Sequence, residues 1–258
     1  MKKLISIFLS IGLAFTLSGF GASADTGDPV EAFLLSTGMP QEVIDQLPDG
    51  QKQVIFETLD NTATFAGCDV KNYHMTEDGE IVEIDDEQPT TRAGQLNITD
   101  IKLYVAAYEQ VYNGIDTFAI YPSFEWSRAA KVNNDSFAMA LYPNWEIIPG
   151  DVNFRLWIKN VLGEPVQYHD MSPDVANSSG FSYKIPSNVG AASGYYEGHT
   201  FLRAKKTTAN ATRAISLRYV HDTSSAFSVS YTITIGPFSI NIEGNSDNLS
   251  TIAGNYAF

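Results

Sequence analysis

Hydrophobic positions along the chain follow two different periods. From Asp28 to Leu59 they recur at helical spacing between helix-breaking residues. Asp28 and Pro29 read as an N-cap and a proline at the first helical position, Val30, Phe33 and Leu34 share a face, and Gly38 stands where a helix would stop. Pro40 opens a second segment with Val43, Ile44 and Leu47, and Pro48-Asp49-Gly50 opens a third with Val54, Ile55 and Leu59. Each falls below the ~12 residues at which an isolated helix holds in water, so they must pack on one another or on the next domain. From Val70 the period becomes two: Tyr73 to Thr76 and Glu80 to Ile84 flank Asp78-Gly79, a strong hairpin-turn pair, and Asp85 to Arg92 reads as a polar linker.

Beyond residue 95 the pattern is strand after strand. Val152, Phe154, Leu156 and Ile158 alternate with Asn153, Arg155, Trp157 and Lys159, and Ile215, Leu217 and Tyr219 alternate with Ser216 and Arg218. Phe227, Val229, Tyr231, Ile233 and Ile235 alternate with serines and threonines, and after Gly236-Pro237 the phase resumes at Phe238, Ile240 and Ile242. Further strands are expected near 98–108, 117–126, 136–145, 181–185 and 196–204. Roughly eight short strands separated by Gly, Pro, Asn and Asp predict a mainly β fold, an antiparallel β-sandwich of Ig-like or jelly-roll-like kind, preceded by the small helical region. One pair of segments repeats, Phe118 to Trp126 and Phe137 to Trp145, each containing Tyr-Pro. Proline should confine both dipeptides to a strand end or edge.

Charge sharpens the division. Of the formal net charge of −14, residues 25–92 carry −13, from 16 acidic against three basic residues, while 93–258 carry only −3. An acidic chain with no basic tract argues against nucleic acid or an anionic membrane held by simple charge attraction. The single cysteine, Cys68, rules out an internal disulfide framework. Lys2-Lys3, an apolar run from Leu4 to about Phe20, and Ala22-Ser23-Ala24 have the form of a signal peptide over 1–24. The expected organisation is therefore a signal peptide, an acidic helical region with a hairpin at 25–92 serving as pro-segment or cap, and a β domain over 93–258. The expected location is extracellular, from a bacterial exporter, with no stable membrane anchor.

Candidate chemistry is sparse. The Gly-x-Ser-x-Gly elbow is absent, and His221 and Asp222, as strand neighbours, point to opposite faces, so no catalytic set is assigned. Cys68 lies in an acidic stretch that raises a thiol's pKa and favours an inert thiol. Glu197 and His199 share a strand face and form a weak two-ligand metal candidate, below what a site needs, so no cofactor is assigned. The acidic turns at 77–80 and 85–87 lack the spacing of a calcium loop. Trp126, Trp145 and Trp157 are all the tryptophans, and Trp157 shares a strand face with Arg155 and Lys159. Tryptophan beside a cation on an outer strand face stacks on sugars or fills a partner groove, so Trp126, Trp145, Arg155 and Trp157 are the candidate ligand contacts.

The alternation over 226–235 with its return over 238–243 resembles, in pattern, the amphipathic hairpins that β-pore-forming toxins insert. The sequence thus favours a secreted, non-enzymatic binding or surface-interaction protein, its partner a carbohydrate or a cell-surface protein. A membrane-active toxin or antimicrobial is the alternative, and a hydrolase using His199 or His221 the second. If 25–92 is a permanent cap, the intact mass of the secreted protein should correspond to a chain beginning at Asp25; a mass beginning after Arg92 would identify a pro-segment instead.

Overall fold

A computed structural model of the protein describes residues 28–76, 81–84, 100–127, 135–160, 162, 164–185, 195–222, 229–235, 238–244 and 249–258, with the backbone alone over most of 222–250. The expected signal peptide, the Asp78-Gly79 turn, the 85–92 linker and the Gly236-Pro237 turn lie outside the described residues.

Three helices come first: α1 (Pro29–Ser36), α2 (Gln41–Ile44) and α3 (Asp49–Thr58). They begin and stop where the sequence signals fall. Asp28 accepts the Val30 N–H at 2.9 Å, Gly38 takes φ +88° beyond α1, and Pro40 and Pro48 cap α2 and α3. The strands follow as β1 (Thr64–Met75), β2 (Ile81–Ile84), β3 (Ile101–Tyr112), β4 (Ile115–Trp126), β5 (Asp135–Leu141), β6 (Trp145–Lys159), β7 (Pro165–Met171), β8 (Val175–Asn177), β9 (Gly180–Ile185), β10 (Tyr195–Lys206), β11 (Ala214–Asp222), β12 (Val229–Ile235), β13 (Phe238–Gly244) and β14 (Leu249–Ala257). One antiparallel sheet runs β2-β1-β3-β4-β10-β6-β7 and a second runs β14-β11-β5-β9-β8, while β12 and β13 form a two-stranded sheet of their own. The fold is an antiparallel β-sandwich preceded by a small helical region, as the alternation predicts.

Two details differ from the sequence reading. Hydrogen bonding runs across residue 92, because β1 pairs with β3 over Thr64↔Glu109 to Tyr73↔Ile101. The second concerns Tyr-Pro. Tyr142-Pro143 follows the end of β5, as expected, but Tyr121-Pro122 lies inside β4, a central strand. The ladder to β10 accommodates it by skipping this dipeptide between His199↔Ser123 and Leu202↔Ile120, so no N–H is required of Pro122 on that side. The Tyr121 carbonyl accepts the Gln51 side-chain amide from α3 at 3.0 Å instead.

Alternate residues of the large sheet feed two separate cores. Leu103, Val105, Ile120, Phe124, Phe154 and Leu156 meet Phe137, Met139, Leu217 and Tyr219 of the second sheet. Their neighbours Tyr104, Ala106, Tyr108, Tyr121 and Phe201 pack under Leu34, Ile44, Val54 and Ile55 of the helices. Glycine permits the close approach on each side: a Cβ on Gly198 would strike Phe124 and Phe154, and one on Gly50 would strike Glu197 and His199. Replacing Gly50 with Ala should therefore force α3 off the sheet and cost about 1–3 kcal/mol, read as a lower midpoint in guanidinium denaturation. A wild-type midpoint would contradict that packing.

Candidate functional site

The helix-facing side of β6 and β10 gathers most of the polar candidates. Glu197 and His199, two apart on β10, share this face and are fully buried. Lys159 of β6 forms an ion pair with Glu197 Oε2, and His199 Nε2 lies 3.3 Å from Glu197 Oε1. Lys159 also lies 3.5 Å from Glu125, which accepts the Tyr104 hydroxyl at 2.9 Å. Burial alone would raise the Glu197 carboxyl, but the hydrogen bond and charge of His199 and the Lys159 ammonium outweigh it and hold the group below its ordinary value of 4.5. Among the described residues no cluster of three metal-ligating groups occurs, and Glu197 is engaged by the Lys159 ammonium and the His199 ring. The ion cluster lies directly beneath Gly50 of α3.

The tryptophans divide. Trp126 is 1% exposed and Trp145 5%, which corrects their expected display at the surface. The physical reason is parity: in a sheet covered on both sides, a large aromatic ring fills whichever interior it faces. Trp126 donates its indole N–H to the Tyr219 hydroxyl at 2.9 Å, and Trp145 donates to the Thr212 carbonyl at 2.6 Å while packing edgewise on Phe118. Trp157 is half-buried beside Tyr168 of β7, ring centres 5.8 Å apart. Arg155 lies 4.9 Å over the Tyr168 ring and bonds Glu57 of α3 and Asp170, both at 2.8 Å. Arg155 and Trp157 both lie against Tyr168, which is 57% exposed and completes a ledge with them. No alternation in the sequence around Tyr168 marked that strand.

His221 is held by a residue far away in sequence. Its Nδ1 lies 2.9 Å from Asp135 Oδ2, and Tyr219 donates to the same oxygen at 2.6 Å. Trp126, Tyr219, Asp135 and His221 form one buried chain between the two sheets. Burial, followed by the Asp135 charge, keeps the Tyr219 hydroxyl protonated well beyond its ordinary range. His221 Nδ1 meets both carboxylate oxygens of Asp135, so the pair belongs to this packed polar network. Cys68 is partly buried on β1, and burial, with Asp69, pushes its thiol up to about 12, so it stays protonated.

The β12–β13 hairpin presents a separate geometry. Its register sets Tyr231 against Ile242, Ile233 against Ile240 and Ile235 against Phe238, while Ser230, Thr232 and Thr234 oppose Glu243, Asn241 and Ser239. Directly opposed residues share a face, so the aliphatic and aromatic positions fall on one face and the Ser, Thr, Asn and Glu positions on the other. The hairpin is an excursion between paired strands, since β11 and β14 meet at Asp222↔Leu249. From there to Val229↔Gly244 the chain advances seven residues on one side and five on the other. The two ladders thus differ in register by two residues, an even step that leaves opposed positions of the same parity, Ile215, Leu217 and Tyr219 in one and Val229, Tyr231 and Ile233 in the other.

No family model and no curated protein matches the sequence. Solved structures similar to it include a collagen-binding domain of a Staphylococcus aureus adhesin (8% identity, 53% of this chain and 86% of that one, TM-score 0.31). Others are a pore-forming protein (8%, 72% and 94%, TM-score 0.36) and a pilus backbone from Streptococcus pneumoniae (8%, 55% and 42%, TM-score 0.29). At TM-scores below 0.5 these overlays carry no argument about what this chain does.

The ion cluster makes a signed prediction. A carboxyl held below its ordinary value contributes stability at pH above about 4.5, and that contribution is lost as pH falls through the lower folded value. Replacing Glu197 with Gln removes the buried partner of Lys159, leaves it only Glu125 at 3.5 Å, and should cost about 3–5 kcal/mol at pH 7. Denaturant titrations at pH 7 and pH 4 should show the gap between wild type and variant narrowing in acid. An equal gap at both pH values would remove Glu197 from this role.

Proposed function

We propose that the protein is an extracellular, non-enzymatic protein that acts on lipid membranes through the β12–β13 hairpin. The observation that supports this reading is the hairpin's register, which separates apolar from polar positions face by face in a two-stranded sheet that, among the described residues, pairs with neither main sheet. A spanning strand needs about 9–11 residues, and each arm has seven. The phase shared with β11 and β14 supplies the remainder, because the arms and their parent strands can pair as one longer hairpin without turning any residue to the other face. Backbone groups along a hairpin's two open edges cannot be left unpaired in hydrocarbon, so hairpins from several copies must close into a barrel, apolar face to lipid and Ser/Thr face to water. Export by the 1–24 signal would bring the protein to such a surface, and the helices, packed over an apolar sheet face, are retained as a cap in this reading.

Dye release from phosphatidylcholine vesicles tests it. Wild-type protein should release dye with a dependence on protein concentration steeper than first order. Ile233→Lys and Ile240→Lys, opposed on the apolar face, should each reduce release at least tenfold, since a cation in mid-bilayer costs about 2–4 kcal/mol, with the melting temperature unchanged. Absence of release by the wild type, or full release by both variants, would sink the proposal.

A further inference from the structure

Eight large hydrophobic side chains are exposed among the described residues, and three of them, Leu162, Val166 and Tyr168, fall within seven positions at the crossing from β6 to β7. Leu162 is 77% exposed and Val166 60%. The crossing is a built one. Asn160 Oδ1 accepts the N–H groups of Leu162 and Glu164 at 2.9 and 3.0 Å, its side-chain amide donates to the Glu164 carboxylate at 2.8 Å, and its own N–H donates to the Glu164 carbonyl at 2.9 Å. These bonds fix the chain around Leu162 while its side chain stands in water. Tyr168 lies opposite Trp157, with the Arg155 guanidinium over its ring. Single exposed apolar residues are ordinary, but a group of them at one turn marks a contact surface.

Charge narrows the partner. Lys159 at the end of β6 is taken by Glu197 and Glu125, Arg155 by Glu57 and Asp170, and Glu164 by the Asn160 amide. The cations beside the crossing are thus matched by carboxylates, and a partner without net charge suits it. Position in the fold identifies that partner. Along the large sheet the ladders run Lys159↔Tyr195, Glu197↔Glu125 and Ile101↔Trp126, and Trp126 donates across the sandwich to Tyr219, three residues before Asp222. Strand β6 therefore ends at the same end of the sandwich as β11, where the excursion to the β12–β13 hairpin begins. Tyr168 is three residues from Pro165, about 10 Å up the strand. A bilayer's headgroup layer is roughly 5–8 Å thick on each side, so Leu162 and Val166 can reach the acyl boundary while Tyr168 stands among headgroups, where tyrosine is favoured.

We infer that the β6–β7 crossing is a lipid-contact surface that seats the sandwich on a zwitterionic phospholipid bilayer through Leu162, Val166 and Tyr168. The choice of a bilayer as partner rests on the membrane reading of the hairpin, but the residues are separate from it.

Sedimentation of the full chain with phosphatidylcholine vesicles tests it. In the Ile233→Lys background, where hairpin insertion is blocked, sedimentation reads seating alone. That variant should still sediment with vesicles, and adding Leu162→Asp should weaken its partitioning at least tenfold with the melting temperature unchanged. Adding Val111→Asp instead, 60% exposed at the β3–β4 turn on the opposite end of the sandwich, should leave partitioning as it was. Leu162→Trp should shift its emission to the blue when vesicles are added. The inference is overturned if Ile233→Lys does not sediment, if Leu162→Asp changes nothing or Val111→Asp weakens partitioning as much, or if the Leu162→Trp emission stays unshifted. Dye release by the wild type with Leu162-independent sedimentation overturns this contact alone. Leu162-dependent sedimentation without any dye release sinks the hairpin reading and leaves the contact standing.

Discussion

The seven-stranded sheet has two apolar faces, and the rest of the molecule is arranged to cover both. Its central strands β3, β4 and β10 carry large side chains at odd and even positions alike. A sheet of that kind cannot leave one face to water, as a two-layer sandwich can. The second sheet takes one face and α1 to α3 take the other. Removing the helices would expose Tyr104, Tyr108, Tyr121 and Phe201 together, an apolar surface that favours aggregation. The acidic, helical segment is thus bound to the β-sheets by burial, whatever its charge suggests about separate behaviour.

Covering a sheet with a helix buries polar groups as well, and several of them are paired within the same small region. Gly50 brings α3 close enough that Gln51 reaches the Tyr121 carbonyl where the ladder opens at Pro122. Lys159 and His199 meet the Glu197 carboxylate beneath that glycine. Arg155 ties Glu57 at the end of α3 to β6 and β7, and Arg203 donates to the Thr58 carbonyl in the last helical turn. These contacts give the helix–sheet interface a single register. Among the described residues the β12–β13 hairpin has no ladder to either main sheet, and a two-stranded hairpin on its own is only marginally stable in water. Moving elements are drawn from such low-stability units.

Much of the secondary structure was legible because each signal is local. The Asp28 cap, the Gly38 stop and the Pro40 and Pro48 starts act within a few residues of themselves, and the alternation of β6, β11 and β12 is carried by consecutive positions. The elements that escaped, β7, β8 and β14, lack such signals. Pro165–Met171 is an edge strand with polar residues on both faces, and Leu249–Ala257 is rich in small residues, with Gly254 packed against the Tyr256 and Tyr73 side chains. Among the site residues, Arg155 and Trp157 could be grouped because they are two apart on one strand. Tyr168 and Asp135 could not, since their partners come from other strands.

The amino-acid sequence by itself determined the helical start, the antiparallel β class and the amphipathic alternation of the 226–243 segment, because these depend on backbone preference and on the period of apolar residues. Only the tertiary structure decided which faces are wet. Trp126 and Trp145 look the same in sequence whether they stack on a ligand or fill a core, and His221 beside Asp222 gives no hint that Asp135 is its partner. Burial and side-chain pairing are set by which strands become neighbours, over separations of tens of residues. That choice is made by the summed packing of two cores rather than by any local motif.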